Sequence, residues 1–503
     1  SSFFNLAFAA NKATYEGDAL LVKESTVTLE HSRLDTSSVV ESTDGTINFK
    51  DTVSGAAGFV DTTNVAGPDG VYGTSDDGLR LRPYSAAIDA GTPDTTGLAL
   101  PATDITGARR VKGTIDAGAY ESGLNLTLNG DEGWRMMSAP LAGQSYNNLL
   151  DTLWIQSVTG GDTDQGSANL FTWNESSTSF ATPGGLSEQP GSGKGFLTYV
   201  FSDQDYDGEP EGFPKTLSLT GSEPSSPAAI DVTSTDADNS GTFNGSEGWN
   251  MLGNPYATPI SVDGIISAAE SVNDQVNTTL YVWDSGNNSY RLLPEGGNHT
   301  IAPWQGFWLR YLATGVDGSF NLSRSDVKAG DAMFYKPRRN QGKQEGELVL
   351  NLQAGKQLRS TYKVILDERS SKGLDRHDAF SPQPISARYV RLFSRTEGNS
   401  LAHNRIPPKV EDTVEVPLYL QSSTANENSL NHVNLQWNAE ALPESWNLVL
   451  HDHLTGKRIN LRDRDAYQFE LNEDKKESAQ KNKPVQQLQI PEVTADSTGT
   501  AQE

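Results

Sequence analysis

One phrase occurs twice in this chain. Asn129-Gly130-Asp131-Glu132-Gly133-Trp134-Arg135-Met136-Met137-Ser138-Ala139-Pro140 returns as Asn244-Gly245-Ser246-Glu247-Gly248-Trp249-Asn250-Met251-Leu252-Gly253-Asn254-Pro255. Leu170-Phe171-Thr172-Trp173-Asn174 is echoed by Leu280-Tyr281-Val282-Trp283-Asp284, and Lys194-Gly195-Phe196-Leu197 by Gln305-Gly306-Phe307-Trp308. A repeat of this length can fold by itself, so the pattern reads as tandem domain duplication and not as a solenoid. It divides the chain around two copies, 124–221 and 230–323.

The remaining sequence supplies what flanks them. At 503 residues the chain is expected to hold roughly three to five domains. Its 47 glycines and nine tryptophans, with many Asn, Ser, Thr and Asp, point to β structure rich in turns. A charge of −26 repels nucleic acid and anionic lipid, and no apolar run is long enough to span a bilayer. With no cysteine, stability rests on core burial and metals, without disulfides. The start, Ser1-Ser2-Phe3-Phe4, is neither a start-codon product nor a signal sequence, so the chain is expected to begin inside a larger gene product.

Residues 1–121 open with short β-branched runs, Ala19-Leu20-Leu21-Val22 and Ser25-Thr26-Val27-Thr28-Leu29, that read as strands of a stacked coil. They end in Ala87-Ile88-Asp89-Ala90-Gly91, Asp104-Ile105-Thr106-Gly107-Ala108-Arg109-Arg110 and Ile115-Asp116-Ala117-Gly118-Ala119-Tyr120-Glu121. These phrases resemble the carboxyl-terminal end of secreted right-handed parallel β-helix proteins of the choice-of-anchor type. The resemblance implies a truncated β-helix whose coils lie upstream, with any polysaccharide-cleaving groove on those missing coils.

In each repeat a strand holding the Trp is followed by a helical stretch, Tyr146–Leu153 in the first and Val262–Glu270 in the second, with Ser261 as N-cap. Residues 324–344 read as a basic linker. Residues 345–471 alternate as an antiparallel β-sandwich, and 472–503 read as linker or disordered tail. Gly373-Leu374-Asp375, Asp378-Ala379-Phe380, Leu401–Pro407, Val416-Pro417-Leu418 and Asp452–Gly456 resemble the sandwich preceding the sorting domain of proteins exported by the type IX secretion system of Bacteroidota-like bacteria. His403 and His453 depart from that pattern. The fold class expected is mainly β: the end of a parallel β-helix, two repeated β-rich domains, then a sandwich.

Calcium is the chemistry best supported by the sequence. Asp203, Asp205 and Asp207 form a D-x-D-x-D-G run. Asp236, Asp238, Ser240, Thr242, Asn244 and Glu247 occupy the ligand positions of a twelve-residue calcium loop. The competing reading is a polar turn without metal, with Glu247 simply part of the repeat. Asp69 to Asp77 is a weaker third run. Among the aromatics, Trp173, Trp283, Trp304 and Trp308 offer flat faces for sugar rings or fill two small cores. Trp304 has no aromatic counterpart in the first repeat, which marks it, with Trp308, as the ligand-binding surface candidate.

Catalysis finds no constellation. His451 and His453 share a strand face without a third ligand, and Gly191-Ser192-Gly193-Lys194-Gly195 lacks the spacing of a phosphate loop. The expected function is extracellular or outer cell-surface structure and adhesion, with polysaccharide or other surface proteins as partners. Two alternatives stand: a polysaccharide-degrading enzyme with catalytic coils upstream, and a homo-oligomeric filament or sheath subunit.

Overall fold

The computed structural model describes residues 2–4, 6, 20–33, 40–53, 58–74, 77–82, 85–96, 99–106, 110, 114–205, 207–221, 223–225, 227–241, 243–323, 346–355, 358–386, 388–409, 413–423 and 432–470. Thr242, the expected linker 324–344 and the expected tail 472–503 lie outside them. The described chain is mainly β, with 29 strands and two short helices.

The first block carries parallel pairing. Ser2–Phe4, Thr26–Glu30 and Thr46–Lys50 form one parallel sheet, and Leu20–Lys23 pairs parallel with Val40–Thr43. The register sets Val27 against Ile47, which pack in one small core with Leu29, whereas Phe49 opposite Leu29 stays exposed. The phrases that close the block are held together by their own acids. The Asp116 carboxylate accepts the Asp89 amide at 2.8 Å, Asp104 accepts the Glu121 amide at 2.9 Å, and Glu121 pairs with Arg110 at 2.8 Å. Each acid satisfies a backbone donor or a cation on another phrase, which is what buried polar groups require.

The two repeats share one topology. In each, the first strand pairs antiparallel with the last: Leu124–Leu128 with Lys215–Leu219, and Ala228–Ser234 with Val316–Leu322. Between them lies a four-stranded sheet. In the first repeat its order is Gly133–Ser138, Gly195–Val200, Leu170–Asn174, Ser179–Ala181. In the second it is Trp249–Gly253, Gly306–Arg310, Thr279–Asp284, Ser289–Pro294. Ser145 and Ser261 cap the helices at matched places, their hydroxyls accepting the amides of Asn148 and Gly264. The first helix is shorter than its pattern, Tyr146–Leu149 only, whereas the second spans Val262–Glu270.

The repeats are interlocked, not merely tandem. Lys194 bridges to Leu252 while its counterpart Gln305 bridges to Met137, the counterpart of Leu252. The Gly253 amide donates to Gly193 O at 2.9 Å, and the Ser138 amide to Trp304 O at 2.8 Å. These reciprocal contacts define a pseudo-two-fold axis. They explain the Gly-Phe of both repeats. A Cβ on Gly195 would lie 2.5 Å from Leu252 O, and one on Gly306 would lie 2.7 Å from Met137 O. Two backbones cross there too closely for any side chain. An aromatic layer, Trp134, Phe171, Trp249, Tyr281, Trp283 and Trp308, fills the shared face.

The third unit pairs Leu418–Ser422, Val390–Thr396, Asn399–Ile406, Leu358–Leu366, Glu347–Ala354, His432–Asn438 and Ala466–Glu470 in that order across one sheet. It docks on the second repeat through hydrogen bonds. Asn277 donates its side-chain amide to Arg376 O and Asp378 O, and Tyr281 OH bridges Asn277 to the Phe380 amide. Arg376 also pairs with Glu270 at the helix end.

Burial at these junctions sets a pH dependence. Loss of water around Asp378 pushes its carboxyl up to about 7, and does the same for Asp89, to about 6, and Glu121, to about 8. The Asp116 charge adds to the last two. A carboxyl whose folded value is raised penalises the folded state once it ionises. The penalty is full above the folded value and vanishes below the unfolded one, near 4. Buried His403, whose folded value is lowered to about 3, opposes this below about pH 6.5. Three raised carboxyls outweigh one imidazole, so in chelator the melting temperature should rise as pH is lowered from about 8 to 5. A melting temperature that falls over that window would refute this account.

Candidate metal centre

The connection from Ala228–Ser234 to the second Trp strand curls tightly, with Asn239 and Gly241 in the left-handed region at φ +55° and +73°. The curl points amides inward. Asp236 accepts those of Ser240 and Gly241 at 2.9 and 2.7 Å, and Asp238 accepts that of Ser240 at 3.0 Å. Asn244 donates its side-chain amide to Asp238 at 3.0 Å. The Glu247 carboxylate is fully buried and accepts the amides of Ala237 and Asn244, each at 2.9 Å. Carboxylate oxygens of Asp236, Asp238 and Glu247 all lie within 4.8 Å of one another, a spacing that can hold one cation. The Ser240 hydroxyl first, and then the Ser240 amide, hold Asp238 below the usual carboxylate range. Ser240 therefore enters the loop through both its side chain and its backbone.

The first run gathers differently. Its cluster is Asp203, Asp205 and Glu211, again within 4.8 Å. Asp207 is not in it: its carboxylate accepts the Glu209 amide and serves a local turn. Glu211 takes part instead because the chain doubles back, bonding its carboxylate to the Gln204 amide at 2.7 Å. Desolvation first, then the charge of Asp207, raises the Asp205 carboxyl. Both acidic loops lie beside the repeated glutamate of their own module. Ser202, next to Asp203, donates to Glu132, the counterpart of Glu247.

Two residues that the sequence pattern did not single out complete the second loop's surroundings. Glu175 belongs to the first repeat, yet its buried carboxylate accepts the amides of Thr235 and Gly248 at 3.0 and 3.1 Å, at the two ends of the loop. Arg310 is 1% exposed. It donates to Glu247 O at 3.1 Å, Asn244 O at 2.8 Å and Asn399 Oδ1 of the sandwich at 3.2 Å. Its guanidinium carbon lies 4.1 Å from the Phe380 ring centroid and 5.0 Å from those of Phe243 and Trp249. Desolvation lowers the Arg310 guanidinium to about 9, which leaves it cationic at neutral pH. Arg135 does the same work in the first repeat. It donates to Asn129 O and Asp131 O from the opposite strand of the pair.

The aromatic candidates are corrected by their burial. Trp304 and Trp308 are each 1% exposed, so neither indole offers a face to a sugar. Trp308 sits in the layer shared between repeats, edge-on to Trp173 at 5.3 Å. Trp304 inserts into the core of the first repeat, among the cluster that holds Leu149, Leu153 and Phe196. Among the described residues no helix is long and apolar enough to cross a membrane. Comparison with family models, with curated proteins and with solved structures found no match.

Proposed function

We propose that this chain is a structural and adhesive segment of an extracellular or outer-surface protein, in which calcium fixes the joints between β-rich units. The carrying observation is the position of the Asp236–Glu247 loop. First repeat, second repeat and sandwich meet around it, through Glu175, Arg310 and Asn399 respectively. Converging carboxylates with a buried closing glutamate suit a hard cation that prefers oxygen ligands, and calcium tolerates the irregular geometry of such loops. The resemblances of the first block and the sandwich support export by a type IX-like route. Burial of Trp304 and Trp308 favours the structural reading over glycan stacking at those positions, so polysaccharides or other surface proteins would contact other surfaces.

Thermal unfolding in calcium against excess chelator tests the reading. Calcium at a hundredfold excess over its dissociation constant should stabilise the folded chain by about 2.7 kcal/mol. Asp236→Asn should lose most of that response. Superimposable melts with and without calcium would remove the cation from the account.

A further inference from the structure

The hairpin Val449–Asp452 with Lys457–Asn460 presents two imidazoles in contact, outside the acidic loops. His451 and His453 are both exposed, and their ring centroids are 4.1 Å apart with the planes at 45°. We propose that this pair is a binding site for a borderline divalent transition metal such as zinc.

The backbone sets the pair. His451 lies on the strand Val449–Asp452 and His453 opens the turn that follows, and the turn carries the second ring against the first. Asp452 between them points away and fixes the turn, accepting the Leu454 and Thr455 amides at 2.8 and 3.2 Å and the Tyr467 hydroxyl at 2.7 Å. The two rings are thus carried on a braced corner. Neutral imidazole nitrogens suit zinc, copper and nickel and bind at about 2.0–2.1 Å, so rings already in contact need only small rotations to share one ion. Water fills the remaining positions. Arg458 lies across the hairpin from His451, and Lys457 across from Asp452. These cations weaken the site without blocking its open face. Calcium, which prefers oxygen, does not compete for it. The chain then sorts two classes of metal to two places, and this site does not depend on the calcium reading.

The test is calorimetric titration of the full chain, saturated with calcium, with zinc chloride at pH 7.5. The parent protein should show a zinc event that His451→Ala and His453→Ala each weaken by about tenfold or more, with unchanged melting temperatures. Asp236→Asn should leave it intact. Equal zinc binding by the double histidine variant would assign the ion to the acidic loops and overturn the proposal. So would the lack of any zinc heat in the parent protein.

Discussion

Trp304→Ala should destabilise the protein by about 3–5 kcal/mol, the range for removing a large buried aromatic side chain. The residue belongs to the second repeat but fills the core of the first, so the loss falls on both. Its backbone makes the prediction sharper. Trp304 sits at φ +66°, a conformation costly for any side chain, and its counterpart Gly193 sits at φ +68°. The repeat demands a left-handed residue there. The first copy uses glycine, and a Cβ on Gly193 would lie 2.0 Å from Ile230 Cδ1. The second copy keeps tryptophan because the buried indole outweighs the strain. Trp304→Gly should therefore be no less stable than Trp304→Ala, reversing the usual order for these two residues. Trp304→Phe should be the mildest change, since the indole Nε1 has no hydrogen-bond partner to lose. Urea unfolding of the three variants decides it. A cost below about 1 kcal/mol for the alanine variant would mean that the repeats are not locked by this side chain.

Arg310→Ala should cost a comparable amount, about 3–5 kcal/mol. Two buried acceptors, Glu247 O and Asn399 Oδ1, and the half-buried Asn244 O lose their donor at once, and a cavity opens among Phe243, Trp249 and Phe380. Arg310→Lys should recover less than half. A single ammonium cannot span acceptors placed around a planar fork, nor stack flat on Phe380. Because Arg310 joins the acidic loop to the sandwich, the alanine variant should also make the calcium response weaker. Full rescue by lysine would show that charge alone matters and that the planar geometry does not.

The repeat and the β character were legible because they are written locally. Apolar alternation, turn residues and the Asn-Gly-x-Glu-Gly-Trp phrase each act over a few positions. The interlock was not, because nothing in the order of residues says that Trp304 leaves its own module. Reading Trp304 as a surface residue followed from comparing side chains at matched positions. The constraint there is a backbone angle, and Gly193 was the informative partner. The Asp236 loop was legible as a contiguous pattern, whereas Glu211 and Glu175 were not, since each arrives from a turn or a neighbouring module. The arginines show the same limit. Arg135 and Arg310 hold one matched carbonyl, Asn129 O and Asn244 O, from different strands, so no alignment column pairs them.

The pairing of first strand with last in each repeat has a mechanical meaning. Leu124 lies opposite Leu219, and Ala228 opposite Leu322, so the chain enters and leaves each module at one end of a two-stranded stem. Tension pulled through the polypeptide would act on that end pair first and open the stem one rung at a time, like a zipper. The crossing around Gly195 and Gly306 lies off this line of force and would bear load only after a stem had parted. A molecule built this way yields gradually under a pull and keeps its knot of tryptophans for last.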